Sequence, residues 1–151
     1  MLREAITERM KTALRAKDAR TLSTVRLIMA ALKDRDIAAR SDGNKAEIPE
    51  SEIQRMLQGM VKQRRESIEL YEKGNRPELA RQESEEIAVI ESFLPQQMDD
   101  AGIEVAAKAA IAQSGAAGIK DMGKVMAALR ERHAGVIDLA RAGAIVKQLL
   151  G

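Results

Sequence analysis

Apolar residues along most of this chain recur every three or four positions, and that spacing restricts the fold more than any other feature. Leu2, Ile6, Met10 and Leu14 sit at helical intervals. Asp18 suits the start of a second helix, on which Leu22, Val25, Met29 and Leu32 repeat the pattern. The turn residues and proline of SDGNKAEIP (41–49) predict a loop, after which a helix restarts with Glu50 or Ser51 near its first turn and carries Ile53, Leu57, Met60 and Val61 on one side. In KGNRPEL (73–79), Gly74 and Asn75 suit a C-terminal stop and Pro77 a first helical turn; the next helix runs to about Phe93 with Leu79, Ile87, Ile90 and Leu94 spaced for burial. No alternating run rich in β-branched or aromatic residues offers a strand. Tyr71 and Phe93 are the only aromatic residues, so the core has to be aliphatic, built from Leu, Ile, Val, Ala and eight Met.

The texture changes at FLPQQMDDAG (93–102). Charge is dense before this segment, whereas the chain after it is Ala-rich and sparsely charged. Pro95 disfavours helix at Leu94. These features place a boundary between a domain over 1–94 and another over 95–151. Three short helices are expected in the second, at roughly 100–113, 121–133 and 138–150, with Asp121 and Asp138 positioned to cap the last two. The predicted fold class is all-α: a helical N-terminal domain followed by a small three-helix C-terminal domain.

Several chemistries lack their residues. There is no Cys, and His133 is the only histidine, which leaves no thiolate site, no metal cluster and no nucleophilic triad. His133 falls near the apolar stripe at a helix end, where a capping or packing role is expected. Glu83, Glu85 and Glu86 are most simply a solvated acidic face. GIKDMGKV (118–125) matches the first seven positions of a phosphate-binding loop, but Val125 stands where Ser or Thr would hold magnesium, and an Ala-rich helix precedes it instead of a buried strand. Nucleotide binding is therefore not expected, and neither is any cofactor or catalytic residue. Gly115 and Gly118 end one helix instead, Met122, Val125, Met126 and Leu129 form the buried stripe of the next, and Lys124 projects to solvent. Gly123 leaves room for close approach by a neighbouring helix or a ligand. Charges at Arg3, Glu4, Glu8, Arg9 and Lys11 exclude an apolar signal region, and no apolar run reaches membrane-spanning length, so a cytoplasmic protein with no membrane partner is expected.

Net charge is only +2, but its distribution is uneven. Residues 1–40 hold ten Lys and Arg against five Asp and Glu, and residues 66–91 hold three against eight. Two readings are open: a basic helical pair packs beside an acidic helix, or the basic region forms a surface for nucleic acid.

Runs of greater specificity carry a family resemblance. YEKGNRPELA, FLPQQ and DMGKVM, together with KDARTLSTVRLIMAALKDRDI and the C-terminal KDMGKVMAALRERHAGVIDLARAGAIVKQLL, resemble the YqeY-like family, and the match covers essentially the whole chain. Phe93 stands where Tyr is expected. The family is similar to the C-terminal tail region of the B subunit of the tRNA-dependent amidotransferase (GatB). The resemblance implies two helical domains and a link to aminoacyl-tRNA amidation, in which the related tail helps hold tRNA while the chemistry belongs to other domains and subunits. Kinship to carbon–nitrogen ligases with glutamine as amido-N donor follows, without intrinsic ligase activity. The implied function is a tRNA-binding module assisting a tRNA-amidating or tRNA-modifying enzyme; the alternative is a helical protein–protein adaptor with no RNA contact. Lys120, Lys124, Arg130, Arg132 and Lys147 form the expected phosphate-contacting set. The chain lacks the aromatic platforms on which single-stranded bases stack, so recognition has to work through shape and phosphates. Limited digestion is expected to cut first between Phe93 and Gly102; a first stable fragment ending inside residues 50–90 would contradict the two-domain organisation.

Overall fold

A computed structural model of the chain describes residues 1–43 and 47–151. The centre of the loop expected at 41–49, residues 44–46, lies outside the described residues. Among those described there is no strand, and the order is α1 (Leu2–Ala16), α2 (Ala19–Ser41), α3 (Glu50–Lys73), α4 (Pro77–Glu91), α5 (Asp100–Ser114), a 3-10 turn (Ile119–Asp121), α6 (Met122–Arg132) and α7 (Leu139–Leu150). The protein is all-α. Its internal contacts divide it into two compact units, Met1–Leu94 and Pro95–Gly151.

In the first unit, α1 and α2 form a hairpin turned by Lys17, whose φ of 57° places a non-glycine residue in the left-handed region. Asp18 then caps α2: one carboxylate oxygen accepts from Thr21 N at 3.1 Å and the other from the Thr21 hydroxyl at 2.7 Å. The turn from α3 to α4 is made by Asn75 at φ 54°, while Gly74 keeps a negative φ. A Cβ at Gly74 would lie 3.3 Å from the Leu70 carbonyl oxygen, a tight contact. Pro77 opens α4, where a missing N–H is of no consequence. The helix ends at Glu91; Phe93 and Leu94 leave it and pack on the core as partly buried residues.

That core is entirely aliphatic among its buried members: Ile6 of α1, Val25, Ile28 and Leu32 of α2, Ile48, then Ile53, Met56, Leu57 and Val61 of α3, and Val89 and Ile90 of α4. The α1 stripe is shorter than its spacing suggests, because Leu14 is 56% exposed and Ala13 is buried in its place. On α2 the inward face also includes Thr21 and Thr24. Thr24 is completely buried and donates its hydroxyl to the Arg20 carbonyl at 2.8 Å, which satisfies the group locally.

The segment before α3 is fixed by charge. Arg3 and Asp36 pair through two hydrogen bonds of 2.9 Å, Arg3 also donates to the Ile48 carbonyl, and Asp36 accepts from Ile48 N. The Arg3 guanidinium holds the Asp36 carboxyl below the usual aspartate range against the opposing effect of burial, and the Ile48 N–H adds to it.

In the second unit, Asp99 caps α5 by accepting from Gly102 N at 2.8 Å, Gly115 ends that helix at φ 69°, and Asp138 caps α7 by accepting from Ala140 N and Arg141 N. Asp121 departs from expectation. It stands at the start of α6, but its side chain accepts from Ala117 N at 3.0 Å across the intervening 3-10 turn and caps nothing in the helix. Ile103, Ala107 and Ala110 of α5, Val125 and Leu129 of α6, Ile137, and Ala142 and Val146 of α7 form the second core.

Leu57, fully buried, and Leu14, half in solvent, make a contrasting pair. Leu57→Ala is expected to destabilise the chain by about 2–5 kcal/mol and Leu14→Ala by no more than about 0.5 kcal/mol; urea denaturation of both variants checks the difference.

Candidate nucleic-acid interface

All five cations named from the sequence are exposed, and among the described residues none makes an ion pair. The fold does not gather them at one place. Lys120 lies in the 3-10 turn and Lys124 in the first turn of α6. Gly151 at the end of α7 comes close to Ile119, since a Cβ built there would lie 3.7 Å from Ile119 Cδ1. The C-terminal turn of α7, with Lys147, therefore shares one end of the unit with Lys120 and Lys124. Arg130 and Arg132 belong to the last turn of α6, roughly 9–12 Å along its axis from Lys124 at the α-helical rise.

Gly123 is exposed, and a Cβ built on it would meet nothing within 4 Å. The neighbouring helix that its small size suggested is not there, and the backbone at the start of α6 is open. His133 terminates α6 with a negative φ, and its carbonyl accepts from Val136 N.

What gives the cations weight is the engagement of the carboxylates around them. Asp99 and Asp138 cap helices, Asp121 accepts from Ala117 N, Asp100 pairs with Arg141, and Glu104 pairs with Lys108 at 3.1 Å. Of the six acidic residues in 95–151, only Glu131 has no partner among the described residues. Five cations and one carboxylate are left without an ion-pair or side-chain hydrogen-bond partner among the described residues.

The acidic stretch of the first unit differs from the solvated face expected at Glu83, Glu85 and Glu86. Glu86 is buried and pairs with Arg64 at 3.0 Å, the two side chains retaining 9% and 13% of their exposure. Glu85 faces Arg20 of α2 at 3.2 Å and Arg81, and Glu91 faces Arg65 of α3 at 3.2 Å. The acidic helix is thus matched mainly by arginines of α3, with one pair to α2. Helical phase carried the missing signal: Glu86 is three and four residues before Val89 and Ile90, and Arg64 is three and four after Val61 and Met60, so both continue apolar stripes.

In comparison with known families, residues 3–150 match the YqeY-like protein family. The chain belongs to that family. The YqeY domain is in turn related to the C-terminal region of GatB. Over 99 residues, 66% of this chain and 51% of the relative, it is 29% identical to "Altered inheritance of mitochondria protein 41, mitochondrial" of Lachancea thermotolerans. The chain thus spans about half the length of that curated relative. Among the described residues of this YqeY-like chain, no group of three or more His, Cys, Asp or Glu is arranged to hold a metal ion, and no helix is long and apolar enough to cross a membrane.

Removing one partner of the Arg64–Glu86 pair strands a buried charge. Glu86→Leu is expected to destabilise the protein by about 3–5 kcal/mol, and Arg64→Met in the same background to recover most of that loss. Urea denaturation of the single and double variants is the check.

Proposed function

We propose that this YqeY-like chain is a helical tRNA-binding module that assists a tRNA-amidating or tRNA-modifying enzyme and contributes no chemistry of its own. The observation that carries the reading is the charge left outward in Pro95–Gly151: Lys120, Lys124 and Lys147 at one end and Arg130 and Arg132 further along α6, with the acidic residues other than Glu131 engaged elsewhere. Lysines and arginines without counter-ions are the groups that displace cations from a phosphate backbone. Gly123 leaves the start of α6 open to close approach, and the family's relation to the GatB tail supports tRNA as the polyanion. Arg130 and Arg132 stand far enough from Lys124 to meet a different part of the same backbone. The mitochondrial label in the relative's name describes that protein; the reading here requires only a compartment that contains tRNA.

The second reading, a helical adaptor with no RNA contact, draws on the exposed Leu27 and Leu70 of the first unit. One experiment separates the two. Affinity for unfractionated tRNA, measured across several salt concentrations, is expected to fall steeply with salt. Lys120→Ala/Lys124→Ala is expected to weaken binding and reduce the log–log slope by about one for each lysine. Unchanged affinity and slope in the double variant removes this site. No binding by the wild-type chain at low salt leaves the adaptor reading.

A further inference from the structure

The acidic residues of the first unit are unevenly neutralised. Glu85, Glu86 and Glu91 each face an arginine, whereas among the described residues Glu66 and Glu83 make no ion pair and accept no hydrogen bond. These two carboxylates line an open groove of about 590 Å³ across α2, α3 and α4, together with the Arg64–Glu86 pair, Leu27 and Leu70. The two leucines are 48% and 69% exposed. The Arg64 guanidinium is held by Glu86 and by the Met60 carbonyl, so one committed cation stands against three carboxylates. Glu83 is half-buried; burial pushes its carboxyl above the usual range, and the Glu86 charge adds to the effect against the pull of Arg64. The groove thus joins apolar surface that water covers poorly to a carboxylate that lacks its counter-ion.

We propose that this groove docks a segment of a protein partner carrying an arginine or lysine beside a leucine-sized residue, with the cation pairing with Glu83 and the apolar side chain covering Leu27 and Leu70. Charge complementarity selects this occupant. A nucleic acid is repelled by the excess carboxylates, while a peptide with one cationic and one apolar contact satisfies both features. The whole chain has a net charge of +2, so attraction of a cationic peptide has to be local. The inference goes beyond the tRNA reading, which rests on the second unit.

The probe is a labelled helical peptide repeating leucine and arginine at i and i+4, compared with the same peptide bearing citrulline, which keeps the shape of arginine and lacks its charge. Fluorescence anisotropy is expected to show saturable binding of the arginine peptide, at least tenfold weaker binding of the citrulline peptide, and at least a tenfold loss for the arginine peptide in Glu83→Gln. Leu70→Ser, a change at an exposed position, is expected to weaken both peptides and serves as the second variant. Affinity for tRNA in Glu83→Gln is expected to equal that of the wild-type chain. The proposal is overturned by absence of saturable binding, by equal binding of the two peptides, or by full affinity in Glu83→Gln. Self-association of the wild-type chain that Glu83→Gln abolishes, measured by sedimentation, also overturns it, because the occupant is then a second copy. Loss of the tRNA site with intact peptide binding bears on the tRNA reading alone.

Discussion

The architecture depends on burying aliphatic side chains with no fully buried aromatic ring among them, Phe93 packing on the first core only partly buried. A ring fills a large volume from one position, and a core whose buried members are all aliphatic has to be assembled from many smaller contributions across several helices. In the first unit that role falls to Ile6, Val25, Ile28, Ile53, Leu57 and Ile90, which come from all four helices. In the second, Ala107, Ala110 and Ala142 alternate with Ile103, Val125, Leu129 and Val146, a mixture of sizes that lets helices approach closely. Because the contributions are small and distributed, each helix has to start at the right place. Asp18, Asp99 and Asp138 fix three of those starts by accepting backbone N–H groups.

The same carboxylates shape the charged surface. In the second unit most acidic side chains serve helix starts, a turn or a local ion pair, and the basic ones are left outward. In the first unit several arginines are engaged: Arg3 ties down the segment before α3, Arg64 enters the packed region between α3 and α4, and Arg20 and Arg65 meet acidic residues of α4 while staying partly exposed. A nearly neutral chain therefore presents distinct local surfaces, one with uncompensated cations and one with uncompensated carboxylates. Net charge hides both.

Helical periodicity made the helices and the apolar stripes legible in the sequence, and turn chemistry located most of their ends. Side chains with two modes of burial were harder to read. Leu14 looks like a core residue, yet α1 turns it outward and buries Ala13. Thr24 looks like a surface residue, but a bond to the carbonyl one turn earlier lets it enter the core. Glu86 looks solvated when residue types are counted and inward when its phase is followed. At the candidate site the sequence identified exposed cations, whereas the placing of Lys147 at the same end of the unit as Lys120 and Lys124 depends on where α7 ends against the 3-10 turn. The distribution of acidic partners was not legible, because whether an aspartate caps a helix or bonds across a turn, as Asp121 does, is decided by local backbone geometry.

The groove holding Leu27, Leu70 and Glu83 takes its lining from three helices, Leu27 from α2 and the rest from α3 and α4. It is complete only when α2, α3 and α4 have all docked. An occupant that recognises the complete groove binds the folded unit and not the unfolded chain, and so contributes to its stability according to concentration and affinity. Occupancy and structural integrity of Met1–Leu94 then become linked quantities: a loosened core weakens the docking surface, and a bound segment resists the loosening.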